Sequence, residues 1–120
     1  MAVTINQFPL AHFLRTVITF TADGDADIKL PDKPVVNTTF QSDGVDGGGT
    51  LTVLASNDGS NFVAIGFNTS ADPHNLTMIA SATASGAWVL PPTINSFGWL
   101  RFHLTGSTTP TLVLNVGQRF

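Results

Sequence analysis

The stretch from Gly48 to Phe67, GGTLTVLASNDGSNFVAIGF, constrains the fold more than any other. Leu51, Val53 and Ala55 alternate with Thr50 and Thr52. That is the period-2 pattern of a strand with one buried face. Asn57-Asp58-Gly59 follows, three residues that tolerate positive φ in a tight turn. From Asn61 the chain returns with Val63, Ile65 and Phe67 on one face. The stretch reads as an antiparallel hairpin, and a chain centred on it is directed toward sheet structure.

The remaining segments repeat this pattern. Phe13 to Phe20 reads as a strand with Leu14, Ile18 and Phe20 inward and Arg15 and Thr19 outward. Asp23 to Asp27 reads as a polar turn, Ala26 to Leu30 as a short strand before Pro31, and Val35 to Gln41 as the next strand. Ser42 to Gly49 is a glycine-rich loop, and Asn68 to Asn75 a second loop. Leu76 to Ala80 and Ala87 to Leu90 are short candidate strands, the latter stopped by Pro91-Pro92. Phe97 to Thr105 places Leu100, Phe102 and Leu104 inward and Trp99, Arg101 and His103 outward. Thr111 to Val116 returns with Leu112, Leu114 and Val116 inward. There is no amphipathic helix and no fixed repeat. About eight short antiparallel strands with turns every 8–12 residues predict an all-β domain, a β-sandwich or jelly roll.

Composition agrees. All eight acidic residues are Asp and Lys occurs twice, so the usual residues of helix surfaces are almost absent. The 120 residues suit one domain with one core. Without cysteine there is no disulfide framework and no thiolate metal site. Five Lys and Arg against a net charge of −3 exclude a basic footprint for nucleic acid. Charged residues make up 11%, against about 25% in an average domain. Either other subunits cover much of the surface, or Thr, Ser and Asn carry the solubility.

Residues 1–12 form an extended N-terminal arm ahead of a sandwich domain over 13–120. Pro9 discourages a central strand there, yet Val3, Ile5, Phe8 and Leu10 are too apolar for a solvated tail. The arm is expected to pack on its own sheet or on a neighbour. It lacks the basic and continuous apolar regions of a signal peptide. No apolar run approaches the roughly 20 residues of a membrane helix. A membrane barrel of eight strands of about 9–11 residues would strain this length.

Candidate chemistry is sparse. Asp23-Gly24-Asp25-Ala26-Asp27 begins like a calcium loop, but Ile28 and Pro34 stand where Gly and a carboxylate are needed. His12, His74 and His103 show no ligand spacing. No nucleophile motif, paired glutamates or Walker loop is present. The expectation is a non-enzyme without metal or cofactor. The outward row Trp99, Arg101 and His103 is the strongest binding candidate, because an aromatic beside a guanidinium suits a sugar or a protein partner. The alternative is a row covered by the arm, with Trp88 in the core.

Two resemblances follow. Ser56, Asn57, Asp58, Gly59 and Phe62, then Trp99, Leu100 and Arg101, resemble the galactose-binding-like β-sandwiches of discoidin and carbohydrate-binding modules over roughly residues 50–116. That resemblance implies a lectin-like function. In layout the whole chain resembles small virion proteins of tailed bacteriophages, which are short, cysteine-free and rich in Thr, Ala, Gly and Val, with an arm before a compact β domain. This implies a capsid decoration or cement protein, located in the virion after assembly in the host cytoplasm. It would bridge capsomers as a homo-oligomer, a dimer or trimer, and bind the major capsid protein or another virion protein. Val3, Ile5, Phe8, Leu10, Trp99, Arg101 and His103 are its candidate partner-binding residues. Neither nucleic acid nor membrane is an expected partner.

Overall fold

A computed structural model describes residues 3–30, 35, 37–45, 47–65, 68–69, 86–90, 94 and 97–120. The strands are β1 (Val3–Pro9), β2 (Phe13–Phe20), β3 (Gly24–Lys29), β4 (Asn37–Val45), β5 (Thr50–Ser56), β6 (Val63–Ala64), β7 (Asn68–Thr69), β8 (Gly86–Val89), β9 (Trp99–Thr105) and β10 (Thr111–Arg119). Phe67, His74 and the strand expected at Leu76–Ala80 lie outside the described residues.

The pairing is nested. β2 pairs with β10, β3 with β9, β4 with β8, and β5 with β6, all antiparallel. The chain is thus one long hairpin whose tip is the Asn57-Asp58-Gly59 loop. Rolling that hairpin brings β10 beside β4 and β9 beside β5. Two sheets result, β1-β2-β10-β4-β8-β7 (sheet A) and β3-β9-β5-β6 (sheet B). Eight strands make a jelly-roll sandwich, and β1 and β7 extend sheet A at its two edges.

Side-chain alternation places the core between the sheets. Leu14, Ile18 and Phe20 of β2, Leu51, Val53 and Ala55 of β5, Leu100, Phe102 and Leu104 of β9, and Leu112, Leu114 and Val116 of β10 are all buried. Phe40 joins the layers. Its ring stacks on Trp88 of the neighbouring strand at 5.0 Å and meets Phe102 of the opposite sheet edge-on at 5.3 Å. Each such buried aromatic contributes about 1.5–3 kcal/mol of burial, and the ring pairs add about 0.5–1.5 kcal/mol each.

Three local expectations are corrected. Residues 24–27 are strand, not turn, because Gly24 to Lys29 pairs in register with Leu104 to Trp99. β4 runs on through Ser42–Val45, which the sequence marks as loop. Ser42 is buried on the inner face, and Gly44 at φ +88° lies so close to the Thr111 carbonyl that a Cβ would collide with it. The return strand of the central hairpin is only Val63–Ala64. Val63 pairs with buried Ala55 yet is 57% exposed, because β6 lies at the sheet edge.

Residues 3–9 pack on their own sheet as β1, in register with β2 from Val3↔Phe20 to Pro9↔Leu14. The chain reverses just beyond, where Leu10 N–H donates to the Phe13 carbonyl at 2.7 Å.

Candidate functional site

On the outer face of sheet B, Trp99, Arg101 and His103 stand in the outward row expected of β9. Across from them β3 presents Lys29, Asp27 and Asp25 in register. Arg101 Nε and Nη2 donate to the two Asp27 carboxylate oxygens at 2.6 and 2.9 Å. Asp27 thereby holds the guanidinium pKa above its ordinary value. The Phe62 ring covers the same guanidinium, 3.9 Å from centroid to Cζ. His103 Nδ1 hydrogen-bonds Asp25. Trp99 lies on the hairpin tip, where a Cβ on Gly59 would come within 3.0 Å of its indole Nε1. The row is therefore a cross-strand ladder of polar pairs with the Arg101–Asp27 ion pair at its centre.

The tip beneath Trp99 is locked by its own polar groups. Asp58 N–H and Gly59 N–H donate to Ser56 Oγ, which in turn donates to Asp58 Oδ1 at 2.9 Å. Ser60 N–H and Asn61 N–H both donate to Asp58 Oδ1 at 2.8 Å, and Asn61 Nδ2 donates to Oδ2. These donors hold the Asp58 carboxyl far below the usual carboxylate range. Asp23, first of the Asp-x-Asp-x-Asp series, accepts from the Ser107 hydroxyl and from Ser107 N–H and Gly106 N–H, and its pKa is lowered by the same cause. Each of the three aspartates thus faces a different partner on β9 or the turn after it. No group of three potential metal ligands occurs among the described residues.

The other predicted partner residues are on sheet A. Val3 packs against the core beside Gly24. Ile5, Phe8 and Leu10 are exposed at 38, 49 and 65%. The register puts Ile5 on the inner side of β1, opposite Ile18, and Phe8 on the outer side, opposite Arg15. The structure therefore does not bring the arm residues together with Trp99, Arg101 and His103; the two sets occupy different sheets.

A second arrangement lies on the outer face of sheet A, which the sequence did not single out. Arg15 Nε and Nη2 donate to Asn115 Oδ1 at 3.1 and 2.9 Å, and its guanidinium lies over the Phe8 ring at 5.5 Å. Arg119 lies over the Phe13 ring at 5.5 Å. Phe13 in turn leans across Gly117, where a Cβ would meet its Cζ at 2.9 Å. Phe13, Arg15, Thr39, Gln41, Asn115 and Gly117 surround a shallow groove of about 410 Å³.

The contributing partners have a faint sequence signal. Asp-x-Asp on β3 opposite Arg-x-His on β9 is complementary period-2 charge, readable once those two strands are paired. Phe62, Arg15 and Asn115 have no such signal. No protein-family model, curated protein or solved structure matches the chain.

Proposed function

We propose that this chain is a non-catalytic virion structural protein, a capsid decoration or cement protein that bridges neighbouring capsomers. The observation carrying this reading is the β1 edge. Among the described residues four strands end the two sheets: β1 and β7 in sheet A, β3 and β6 in sheet B. β6 and β7 are two residues each, and β3 carries Asp25, Asp27 and Lys29. Short length and charge are the usual protections of an edge. β1 is seven residues long, has no charged side chain and exposes Ile5 and Phe8, and its one protection is Pro9 at its last position.

An edge of this kind is completed by another chain. Added strands gain main-chain hydrogen bonds, and the exposed apolar side chains supply area. Contacts that exist only in the assembled particle stabilise it by linkage, and repetition over many copies multiplies the effect. Jelly rolls serve in viral shells and in lectins alike, so the fold does not choose between these roles. The lectin reading attached to Trp99 and Arg101 draws less support, because Asp27, Phe62 and the Gly59 turn already occupy those side chains.

Antibody against the chain should label the heads of purified particles from its source. Ile5→Lys, which charges the edge, should reduce incorporation severalfold while circular dichroism stays unchanged. Unlabelled particles, or full incorporation of Ile5→Lys, would refute the proposal. Light scattering of the chain with and without residues 1–12 reports whether the same edge also joins copies in solution.

A further inference from the structure

The outer face of sheet A concentrates positive charge in a protein whose net charge is −3. Arg15 is opposite Gly117 and Arg119 opposite Phe13, so the two arginines are diagonal neighbours on one face, about 7–8 Å apart at Cα. Among the described residues neither has a carboxylate partner; Arg15 is held by the neutral Asn115 amide and Arg119 by an aromatic ring. Among the described residues the nearest acidic side chain on this face is that of Asp43, which pairs with Val113, two residue pairs beyond Asn115–Gln41 along the sheet, and accepts from Gly44 N–H. By contrast Arg101 on the other sheet is fully matched by aspartate.

Between the arginines and β4 is the groove, with the Phe13 ring lying across Gly117. Its floor is β10 and β4 at Val116, Gly117 and Phe40, and β10 is paired on both sides. The floor therefore has no main-chain edge to receive a peptide strand. What it offers are side chains: the Phe13 ring, the Gln41 amide, the Thr39 hydroxyl and the second amide hydrogen-bonding group of Asn115. Amides and hydroxyls both donate and accept, which matches a ligand carrying many hydroxyls on a small ring. A flat aromatic side chain packs against the C–H face of such a ring. The volume of about 410 Å³ lies in the range of small-molecule sites.

We infer that this groove binds an acidic saccharide, its sugar ring resting on Phe13 over Gly117 and its carboxylate received by Arg15 and Arg119. Asn115 is the positioning residue: by accepting from two Arg15 nitrogens it fixes the guanidinium over the groove and leaves the remaining N–H donors for the ligand. The inference does not depend on the virion proposal: the joining edge is β1, the groove lies between β2, β10 and β4, and the two meet only where Arg15 lies over Phe8.

The test is a titration of the isotopically labelled full chain, followed by NMR, with trigalacturonate, neutral maltotriose and pentaglutamate as probes. Trigalacturonate should give saturable shifts at Arg15, Gln41, Asn115 and Gly117, and the affinity should fall as salt is raised. Maltotriose should bind at least about tenfold more weakly, and Arg15→Gln should weaken the uronate by at least about tenfold, the scale of a lost charge-assisted hydrogen bond. Gly117→Val displaces the Phe13 ring that lies across it and should also abolish binding; Arg15→Gln carries the test if that variant does not fold. Lys29→Gln, which removes a cation on the other sheet, should change nothing. Absence of saturable shifts, equal affinity for pentaglutamate, or an unaffected Arg15→Gln would each overturn the inference.

Discussion

The Arg101 guanidinium is clasped between the Asp27 carboxylate and the Phe62 ring, with two hydrogen bonds at 2.6 and 2.9 Å on one side and a ring centroid 3.9 Å away on the other. Two strands and the hairpin tip meet at this one side chain: Asp27 comes from β3, Arg101 from β9, and Phe62 from the tip between β5 and β6. Phe62→Leu should destabilise the fold by about 1 kcal/mol through loss of the cation–π contact. The Arg101 and Asp27 side chains are 26 and 34% exposed, so solvent screens the pair. A double-mutant cycle should return a coupling of about 1 kcal/mol. Urea denaturation of the four chains of the cycle and of Phe62→Leu measures both, and zero coupling would remove the ion pair from the stabilising contacts.

Asp58 and Asp23 predict how stability depends on pH. Both carboxyls titrate below the ordinary value of 3.8 in the folded chain. The unfolded chain therefore binds more protons than the folded one in that region. The stabilisation is complete above the unfolded pKa and is lost as pH falls from there through the depressed folded values. The urea midpoint should be level from pH 7 to about 5 and decline below 4. Asp58→Asn should lower the midpoint at pH 7 and flatten the acid decline. An acid decline of unchanged size in Asp58→Asn would show that the tip hydrogen bonds do not set it.

Gly59 separates backbone strain from side-chain contact. Its φ is +77° and a Cβ would press on Trp99, whereas Gly106 at φ +71° has open space around the same position. Gly106→Ala should cost about 1–2 kcal/mol from φ alone. Gly59→Ala should cost more, and the excess should vanish in a Trp99→Leu background. Thermal unfolding of these variants checks the difference, and equal costs in the Trp99 chain would count against the contact.

Gln118 is a buried weak point. Its side chain is fully inside the sandwich, its amide nitrogen Nε2 donates to Thr38 Oγ1 at a long 3.4 Å, and its Oε1 has no donor among the described residues. An unsatisfied buried acceptor costs more than a weak bond returns. Gln118→Met, similar in length and apolar, should raise stability by about 1 kcal/mol. A drop in the melting temperature would mean that Oε1 is satisfied in solution.

Legibility of the sequence followed the locality of each interaction. Leu100, Phe102 and Leu104, or Leu112, Leu114 and Val116, declare their inward face because every second residue is apolar, and the pleat alone turns them one way. The strand read at Val35 to Gln41 is present as the first part of β4, but its continuation through Ser42–Val45 was obscured because Ser42 and Gly44 stand at inward positions, so polarity no longer marks the face. The Asp-x-Asp segment resembled a turn because its pairing strand lies more than seventy residues away. The groove on sheet A joins Arg15 to Asn115, one hundred residues apart, and no local pattern announces such a meeting.

The sequence by itself determined an all-β chain, the central hairpin and the parity of its strongest strands, since these depend on neighbours one, two or a few residues apart. Only the tertiary structure decided the nested pairing, the place of β1 at an open edge and the partners of each charge. Those are set by which strands lie side by side once the long hairpin rolls up, and the burial that rewards rolling is shared by the whole core.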